Sequence, residues 1–223
     1  MTILVIGATG RVGRHVVESL VQRGAKVRAL TRDTSKAAFA KEVDIVKGDL
    51  LDIDSLRNAF AGVRTLFLLN AVSGDEFTQA LIALNMARES GIQRVVYLSV
   101  MHADRFVNVP HFAVKSGAER LIEAMDFSAT ILRPAYFIDN DHMIKDVILG
   151  HGIYPMPIGG KGLAMVDTRD IAEVAAAELI RRDEAPGKMP IEVINLVGPD
   201  TLTGAEVAAI WTDVLGRPVS YAG

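Results

Sequence analysis

Three side chains that could support proton transfer stand close together in the sequence. Ser99 ends a predicted strand, and His111 and Lys115 follow Pro110, a residue suited to the first position of a helix. Their i, i+4 spacing places His111 and Lys115 on one helix face. An imidazole can give a proton to a carbonyl oxygen that receives hydride, and an ammonium can hold ribose hydroxyls. We therefore predict these three residues as the catalytic set, with Ser99 orienting the substrate.

Each of these residues also has a purely structural interpretation. Ser99 could be a hydrogen-bonding group at a strand end, His111 a surface residue near a helix start, and Lys115 a solvated lysine. Their spacing alone does not separate these interpretations from the catalytic one.

A glycine-rich turn comes directly after the first predicted strand and opens a helix. Gly7, Gly10 and Gly13 form the pattern G-x-x-G-x-x-G, a variant of the dinucleotide-binding fingerprint. Gly7 permits the tight turn, Gly10 lets a pyrophosphate approach the backbone, and Gly13 lets the helix pack close to the strand. The N–H groups at the helix N-terminus then face the phosphates. We predict a dinucleotide cofactor here, against the alternative of a structural turn, with contacts from Gly7, Thr9, Gly10, Arg11, Val12 and Gly13.

The residues after the second predicted strand bear on the choice between NAD and NADP. An acidic residue there would bind the ribose 2′-hydroxyl, whereas a basic residue would bind a 2′-phosphate. This strand ends with Thr31 and is followed by Arg32. Lys36 and Arg11 are also expected near this position. Asp33 could bind the 2′-hydroxyl, but it also suits the N-cap of a short helix. The basic residues favour NADP as the cofactor, with NAD as the alternative.

Further cofactor contacts are expected after the third and fourth strands, because open α/β sheets bind ligands beyond the carboxyl ends of their strands. Asp49 and Leu50 should lie near the adenine. Asp49 could accept a hydrogen bond from the adenine amino group, or it could form an Asx turn instead. Asn70 and Ala71 should border the ribose or the nicotinamide, and Lys115 completes the set of predicted cofactor contacts.

Apolar and aromatic residues between positions 101 and 137 predict a substrate pocket. The predicted contacts are Met101, Phe112, Tyr136 and Phe137. Such side chains suit a small apolar substrate, such as a quinone or another flat carbonyl compound. Ordinary core packing is the alternative for each of them. We predict no metal site, because no two histidines have the spacing of metal ligands.

The elements that must position these residues follow a repeated strand–helix pattern. Short β-branched runs predict strands at 2–6, 27–31, 44–47, 65–69, 94–99 and 128–132. Helical patterns between them cover 12–23, 53–59, 75–89 and 110–125. Crossovers of this length imply a right-handed, doubly wound parallel sheet, the α/β architecture of the Rossmann fold.

The pattern becomes less regular after residue 133. Prolines and glycines cluster between 155 and 162, and they predict loops and short strands. Helices are predicted at 170–181 and 204–215, and strands at 192–196 and 218–221. We therefore divide the chain into an NAD(P)-binding core, residues 1–133, and a smaller C-terminal substrate-binding lobe, residues 134–223. The last strand ends so near residue 223 that we expect further residues to complete the fold.

Composition excludes several classes of protein. The chain has no cysteine, so it has no disulfide framework, thiolate metal site or cysteine nucleophile. Its net charge of −3 provides no basic surface for direct nucleic-acid binding. No apolar run is long enough for a signal peptide or a membrane span, so we expect a soluble cytoplasmic protein. A homodimer or a regulatory protein partner remains open.

Several of these segments together resemble the NmrA-like group of atypical short-chain dehydrogenases/reductases. The resemblance covers essentially the whole chain and rests on GATGRVG, VRALTRD, GDLLD, YLSV, HFAVK and LRPAYFIDN. Short-chain reductases use a Ser and a Tyr-x-x-x-Lys pair. Ser99 and Lys115 match that set, but His111 stands in the tyrosine position. The resemblance implies an NAD(P)H-dependent oxidoreductase reducing a quinone or another apolar carbonyl compound, or else an NADP(H)-sensing regulatory protein without turnover.

Overall fold

A computed structural model describes residues 2–223, which form two compact units. The first unit contains the residues up to Arg133 together with Arg169–Asn195. The second contains Pro134–Thr168 and Leu196–Gly223. No helix within residues 2–223 combines the length and the apolar composition that crossing a membrane requires.

The first unit is built around a seven-stranded sheet. Its strands are β1 (Thr2–Val5), β2 (Lys26–Thr31), β3 (Asp44–Lys47), β4 (Val63–Leu68), β5 (Arg94–Leu98), β6 (Ser128–Pro134) and β8 (Glu192–Leu196). Their order is β3-β2-β1-β4-β5-β6-β8, and the pairings from β3 through to β6 are parallel. The predicted doubly wound parallel sheet is therefore confirmed. The winding reverses between β1 and β4, where sheets of this type bind their ligands.

In the described part of the chain, five helices alternate with the strands of this sheet. They are α1 (Arg11–Gln22), α2 (Ile53–Phe60), α3 (Glu76–Glu89), α4 (Pro110–Ala124) and α6 (Thr168–Glu184). Local sequence explains where two of these helices begin. The Asp52 side chain caps α2 by accepting hydrogen bonds from the Asp54 and Ser55 amides. Pro110 is the first residue of α4, a position that suits proline. The core between helices and sheet is mainly aliphatic, as Leu56 and Ile122 illustrate, both fully buried.

Helix α6 belongs to the first unit, in contrast to the predicted division of the chain at residue 133. Polar side chains attach it to the sheet: Thr65 donates to Asp183 at 2.8 Å. The fully buried Arg182 donates to the hydroxyls of Thr130 at 2.5 Å and Ser128 at 3.1 Å. Because α6 is held on β4 and β6 in this way, the strand after it, β8, becomes the seventh strand of the main sheet.

The second unit has its own small core. It contains α5 (Lys145–His151), β7 (Ile153–Tyr154), α7 (Gly204–Leu215) and β9 (Ser220–Tyr221), and β7 pairs in parallel with β9. The predicted strand at 218–221 corresponds to β9, whereas α5 and β7 have no counterpart in the sequence prediction. Tyr154 and Ile148 are fully buried in this core.

Candidate active site

A cleft of about 530 Å³ lies at the carboxyl ends of β1, β2, β3 and β4. Among the predicted cofactor contacts, the residues that line it are Gly7, Thr9, Gly10, Arg32, Asp49, Leu50, Asn70 and Ala71. The remaining predicted contacts lie outside its lining; they are Arg11, Val12, Gly13, Lys36 and Lys115. The cleft thus brings together the residues that follow four separate strands, as expected for the carboxyl edge of a parallel sheet.

The glycine turn forms one wall of this cleft and leads into α1. Gly7 has a φ of +78°, in the left-handed region that glycine adopts without strain. The Gly10 amide donates to the Gly7 carbonyl at 3.0 Å, and Gly10 is the N-cap of α1. A Cβ on Gly13 would lie only 2.0 Å from the Gly7 carbonyl oxygen. Gly13 therefore acts through helix packing, and the buried Val12 beside it belongs to the core.

Asn70 provides a test of whether the cleft fits a dinucleotide. This side chain is buried and lines the cleft. Neither its amide nitrogen nor its amide oxygen has a hydrogen-bond partner within residues 2–223. An unpaired buried amide costs folding free energy unless water or a ligand pairs with it, and in this position the amide fits a ligand with hydroxyl or amide groups. A dinucleotide has both, and the N-terminus of α1, which Gly10 of the cleft lining caps, suits its phosphates.

The residues after β2 take different roles from one another. Arg32 is exposed and lines the cleft. Asp33 caps the short 3₁₀ helix Thr34–Lys36, and hydrogen bonds from the Ser35 side chain and amide lower the pKa of its carboxyl group. Lys36 is 81% exposed and lies 3.4 Å from the Asp33 carboxylate. Asp33 is thus engaged as an N-cap, and Arg32 is the basic residue from this segment that faces the cleft.

The loops after β3 and β4 supply further lining residues. Asp49 Oδ1 accepts from the Leu51 amide at 2.9 Å, which is the Asx turn considered as its alternative role. Ser73, Asp75 and Gln79 also line the cleft, and the sequence prediction missed them. The carboxyl-edge rule could have found them if the predicted region had been extended along the loop after β4 into the first turns of α3.

His111 and Lys115 meet a buried carboxylate that no motif in the sequence indicates. Glu76, at the start of α3, is 2% exposed. Its Oε2 lies 3.0 Å from Nδ1 of His111, and its Oε1 lies 3.1 Å from Nζ of Lys115. Lys115 also donates to the Leu98 carbonyl at 3.0 Å. The two predicted catalytic residues of α4 are therefore joined through Glu76, because α3 and α4 pack side by side.

Ionisation states in this cluster follow from burial and charge. Burial by itself would raise the pKa of Glu76, but the hydrogen bond from His111 and the charge of Lys115 outweigh it and hold that pKa below its ordinary value. Burial lowers the pKa of Lys115, although Glu76 opposes this shift. The cluster thus holds a buried anion against one cation and one imidazole.

Ser99 belongs to a second buried cluster. It is buried at the end of β5, and its hydroxyl donates to the carboxylate of Glu119 on α4. Arg133 donates to the same carboxylate through Nε at 3.0 Å and Nη2 at 2.5 Å. This contact raises the pKa of Arg133. Ser99 therefore makes the hydrogen bond considered as its structural alternative, and Glu119 is a partner that sequence reasoning missed.

The predicted substrate contacts fall in both units. In the first unit, Phe112 meets Phe106 edge to face at 5.7 Å and His111 at 6.0 Å, and Met101 is half-buried in the loop after β5. In the second unit, the Tyr136 hydroxyl donates to the Met156 sulfur at 3.6 Å, and Phe137 forms an isolated bridge with Val166. His111 thus has aromatic neighbours within its own unit.

Comparisons with known proteins place this geometry in a family. A curated relative, the NAD(P)H azoreductase of Xenophilus azovorans, is 30% identical over 223 residues, covering 98% of this chain and 76% of the relative. Photosystem II assembly factor Ycf39 of Cyanophora paradoxa is 26% identical over 237 residues, covering 97% of this chain and 70% of that protein. The crystal structure of an NADPH-dependent quinone oxidoreductase from Escherichia coli, complexed with NADPH, superimposes with a TM-score of 0.87 at 26% identity, covering 99% of this chain and 77% of that one.

The resemblance stated from the sequence motifs is confirmed by these matches. The sequence model of the NmrA-like family extends over residues 1–223, which include both the glycine turn and the segment with His111 and Lys115. The chain belongs to the NmrA-like family.

Proposed function

We propose that this protein is an NAD(P)H-dependent reductase that transfers hydride to a quinone or another apolar carbonyl compound. The observation that carries the proposal is the cleft in which the glycine turn, Arg32 and the unpartnered amide of Asn70 come together. The family relatives that include an NAD(P)H azoreductase and an NADPH-dependent quinone oxidoreductase support the same reaction class.

The cleft's own residues suit the parts of the cofactor. The amide groups of the Gly7–Gly10 turn and the N-terminus of α1 would hold the pyrophosphate. Asn70 would bind a hydroxyl or the carboxamide, and Arg32 would bind a 2′-phosphate. The reduced nicotinamide, when bound, supplies the hydride. The acceptor oxygen then needs a proton, and His111 is the side chain proposed to give it.

Cofactor preference is tested by comparing the dissociation constants of NADPH and NADH. We expect tighter binding of NADPH, and we expect Arg32→Ala to weaken NADPH binding about tenfold, the loss of about 1.4 kcal/mol expected for one charge-assisted contact. NADH binding should stay unchanged in this variant. Lys36→Ala is the matched control, because Lys36 is exposed, pairs with Asp33 and lies outside the cleft lining. Tighter NADH binding by the wild type would overturn the preference for NADP.

Turnover is tested by following NADPH oxidation with a panel of quinones, azo dyes and aldehydes. We expect oxidation with at least one quinone or dye and a strong loss of rate in His111→Ala, with NADPH affinity retained. Tight NADPH binding without turnover of any acceptor would refute the reductase proposal. Full turnover in His111→Ala would leave the enzyme in place and remove the proposed role of the imidazole.

One observation favours a second function, that of an NADP(H)-sensing regulatory protein without turnover. His111 occupies the tyrosine position of the short-chain reductase pattern, and a family relative is an assembly factor rather than a named reductase. A sensor would change conformation differently with NADPH and NADP⁺ and would turn over no acceptor. Limited proteolysis in the presence of each cofactor form, run beside the turnover panel, distinguishes the two functions.

A further inference from the structure

Glu76 is the one carboxylate of the described residues 2–223 that contacts both predicted catalytic residues of α4. Its Oε2 lies 3.0 Å from Nδ1 of His111, within hydrogen-bond distance. Its Oε1 lies 3.1 Å from Nζ of Lys115, an ion-pair distance. The hydrogen bond with His111 is the contact of this carboxylate that can distinguish the two ring nitrogens of the imidazole.

The chemistry of the two partners decides where the proton lies in the bond between Glu76 and His111. An ionised carboxylate can only accept hydrogen bonds, so Nδ1 of His111 must carry the proton. Lys115 favours the ionised form of Glu76, because its ammonium is buried beside it. The neutral imidazole is then protonated at Nδ1, and Nε2 is the ring nitrogen that gains and loses the second proton.

We propose that Glu76 is a positioning residue that fixes His111 in the form protonated at Nδ1 and thereby makes Nε2 the proton donor to the substrate. This inference rests on the proposed reductase function. In the reaction, the acceptor carbon gains a hydride as NADPH is oxidised to NADP⁺, and the carbonyl π-bond breaks. The resulting oxyanion takes the proton from Nε2 of the imidazolium, and the neutral ring regains a proton from solvent.

The surroundings of His111 support this assignment. From α3 the group that faces the ring is Glu76, and from α4 it is Lys115, one turn further along, which contacts the other oxygen of the same carboxylate. Phe112 packs against the ring edge to face at 6.0 Å and is uncharged. The ring is therefore held by one directional polar contact and one aromatic contact, and removing Glu76 removes the one that selects a tautomer.

The test compares Glu76→Leu and Glu76→Gln with the wild type. Nitrogen-15 NMR of the histidine rings, recorded with the rings neutral, reports which nitrogen of His111 is protonated, and His111→Ala identifies its signals. We expect protonation at Nδ1 in the wild type and at Nε2 in Glu76→Leu. Glu76→Gln keeps an acceptor oxygen, so it should keep more of the Nδ1 form. Glu89→Gln, an exposed acid at the far end of α3, is the matched control.

Steady-state kinetics of the same variants separate positioning from general structural damage. We expect kcat to fall at least tenfold in Glu76→Leu, since general acid catalysis contributes about 10²–10⁴-fold, and to fall less in Glu76→Gln. The KM and dissociation constant of NADPH should stay close to the wild type, because Glu76 lies outside the cleft lining. That retained affinity also shows that a variant has folded. If Glu76→Leu does not fold, the comparison is made with Glu76→Gln alone.

Two results would overturn the inference. One is a wild-type His111 protonated at Nε2 when neutral. The other is a Glu76→Gln or Glu76→Leu variant whose tautomer and kcat match those of Glu89→Gln. A wild type that binds NADPH but turns over no acceptor refutes the reductase function, whereas the tautomer measurement still decides whether Glu76 controls the ring.

Discussion

Replacing Gly13 with alanine tests why the glycine turn needs its third glycine. The added Cβ would lie 2.0 Å from the Gly7 carbonyl oxygen and 2.6 Å from the Gly7 carbonyl carbon, and both of these are backbone atoms. Contacts below 3.0 Å essentially never occur for a real Cβ, so the start of α1 must move away from the turn by about 1 Å. Overpacking costs about 1–3 kcal/mol of unfolding free energy and alanine gains about 1 kcal/mol of helix propensity over glycine, so with a clash against two backbone atoms we expect a net loss of up to about 2 kcal/mol.

The same movement should weaken cofactor binding. If one hydrogen bond from the turn to a phosphate is lost, about 1.5–3 kcal/mol of binding free energy disappears, which corresponds to about 10–140-fold in the dissociation constant of NADPH. Urea unfolding measures the stability, and the fluorescence change of NADPH on binding measures the affinity. Gly150→Ala in α5 is the matched control, because its Cβ would meet nothing within 4 Å. Gly13→Ala with wild-type stability and affinity would refute the close-packing argument.

Two further changes test other parts of the molecule. Asn70→Leu removes an unpartnered buried amide, so we expect the free energy of unfolding to rise by about 1–3 kcal/mol while NADPH affinity falls. A variant that is less stable in urea unfolding and also binds NADPH more weakly in titration would contradict this. Burial raises the pKa of the Asp141 carboxyl group above its ordinary value of 3.8, although hydrogen bonds from Trp211 and Tyr154 oppose the shift. The folded second unit therefore favours protonated Asp141, and the stability that this gives is lost as pH rises from 3.8 through the raised pKa. Asp141→Asn should remove that loss in urea unfolding followed by the fluorescence of Trp211, the single tryptophan, and an unchanged pH dependence would count against it.

The fold of the first unit could be predicted because its signals are local. Short β-branched strands and helical patterns alternate along the chain, and the predicted strand at 44–47 has the bounds of β3. The role of β8 could not be predicted in the same way. Its sequence indicates a strand, but its place in the main sheet depends on α6, which Arg182 and its partners hold against β6. That contact joins residues far apart in the sequence.

The site residues likewise fall into those with a local sequence signal and those that depend on the packing of separate elements. Gly7 and Asn70 could be found from sequence because each directly follows a strand, and the carboxyl-edge rule makes such positions converge. Glu76 could not be found, because it lies in the first turn of α3 without a motif, and its contact with His111 arises from the packing of α3 against α4. Glu119 was missed for the same reason, as its partners come from β5 and β6.

The buried glutamates Glu76 and Glu119 determine which of the predicted catalytic residues can donate a proton to a substrate. A carbonyl oxygen only accepts hydrogen bonds, so a residue that polarises it must have a proton to offer. The Ser99 hydroxyl donates its hydrogen bond to Glu119, and the Lys115 ammonium donates to the Leu98 carbonyl and pairs with Glu76. While the hydrogen bond to Glu119 is made, the Ser99 hydroxyl can offer a substrate only its lone pairs. We infer that proton donation falls to His111, which Glu76 leaves with Nε2 as its reacting nitrogen, so His111→Ala should slow turnover more than Ser99→Ala.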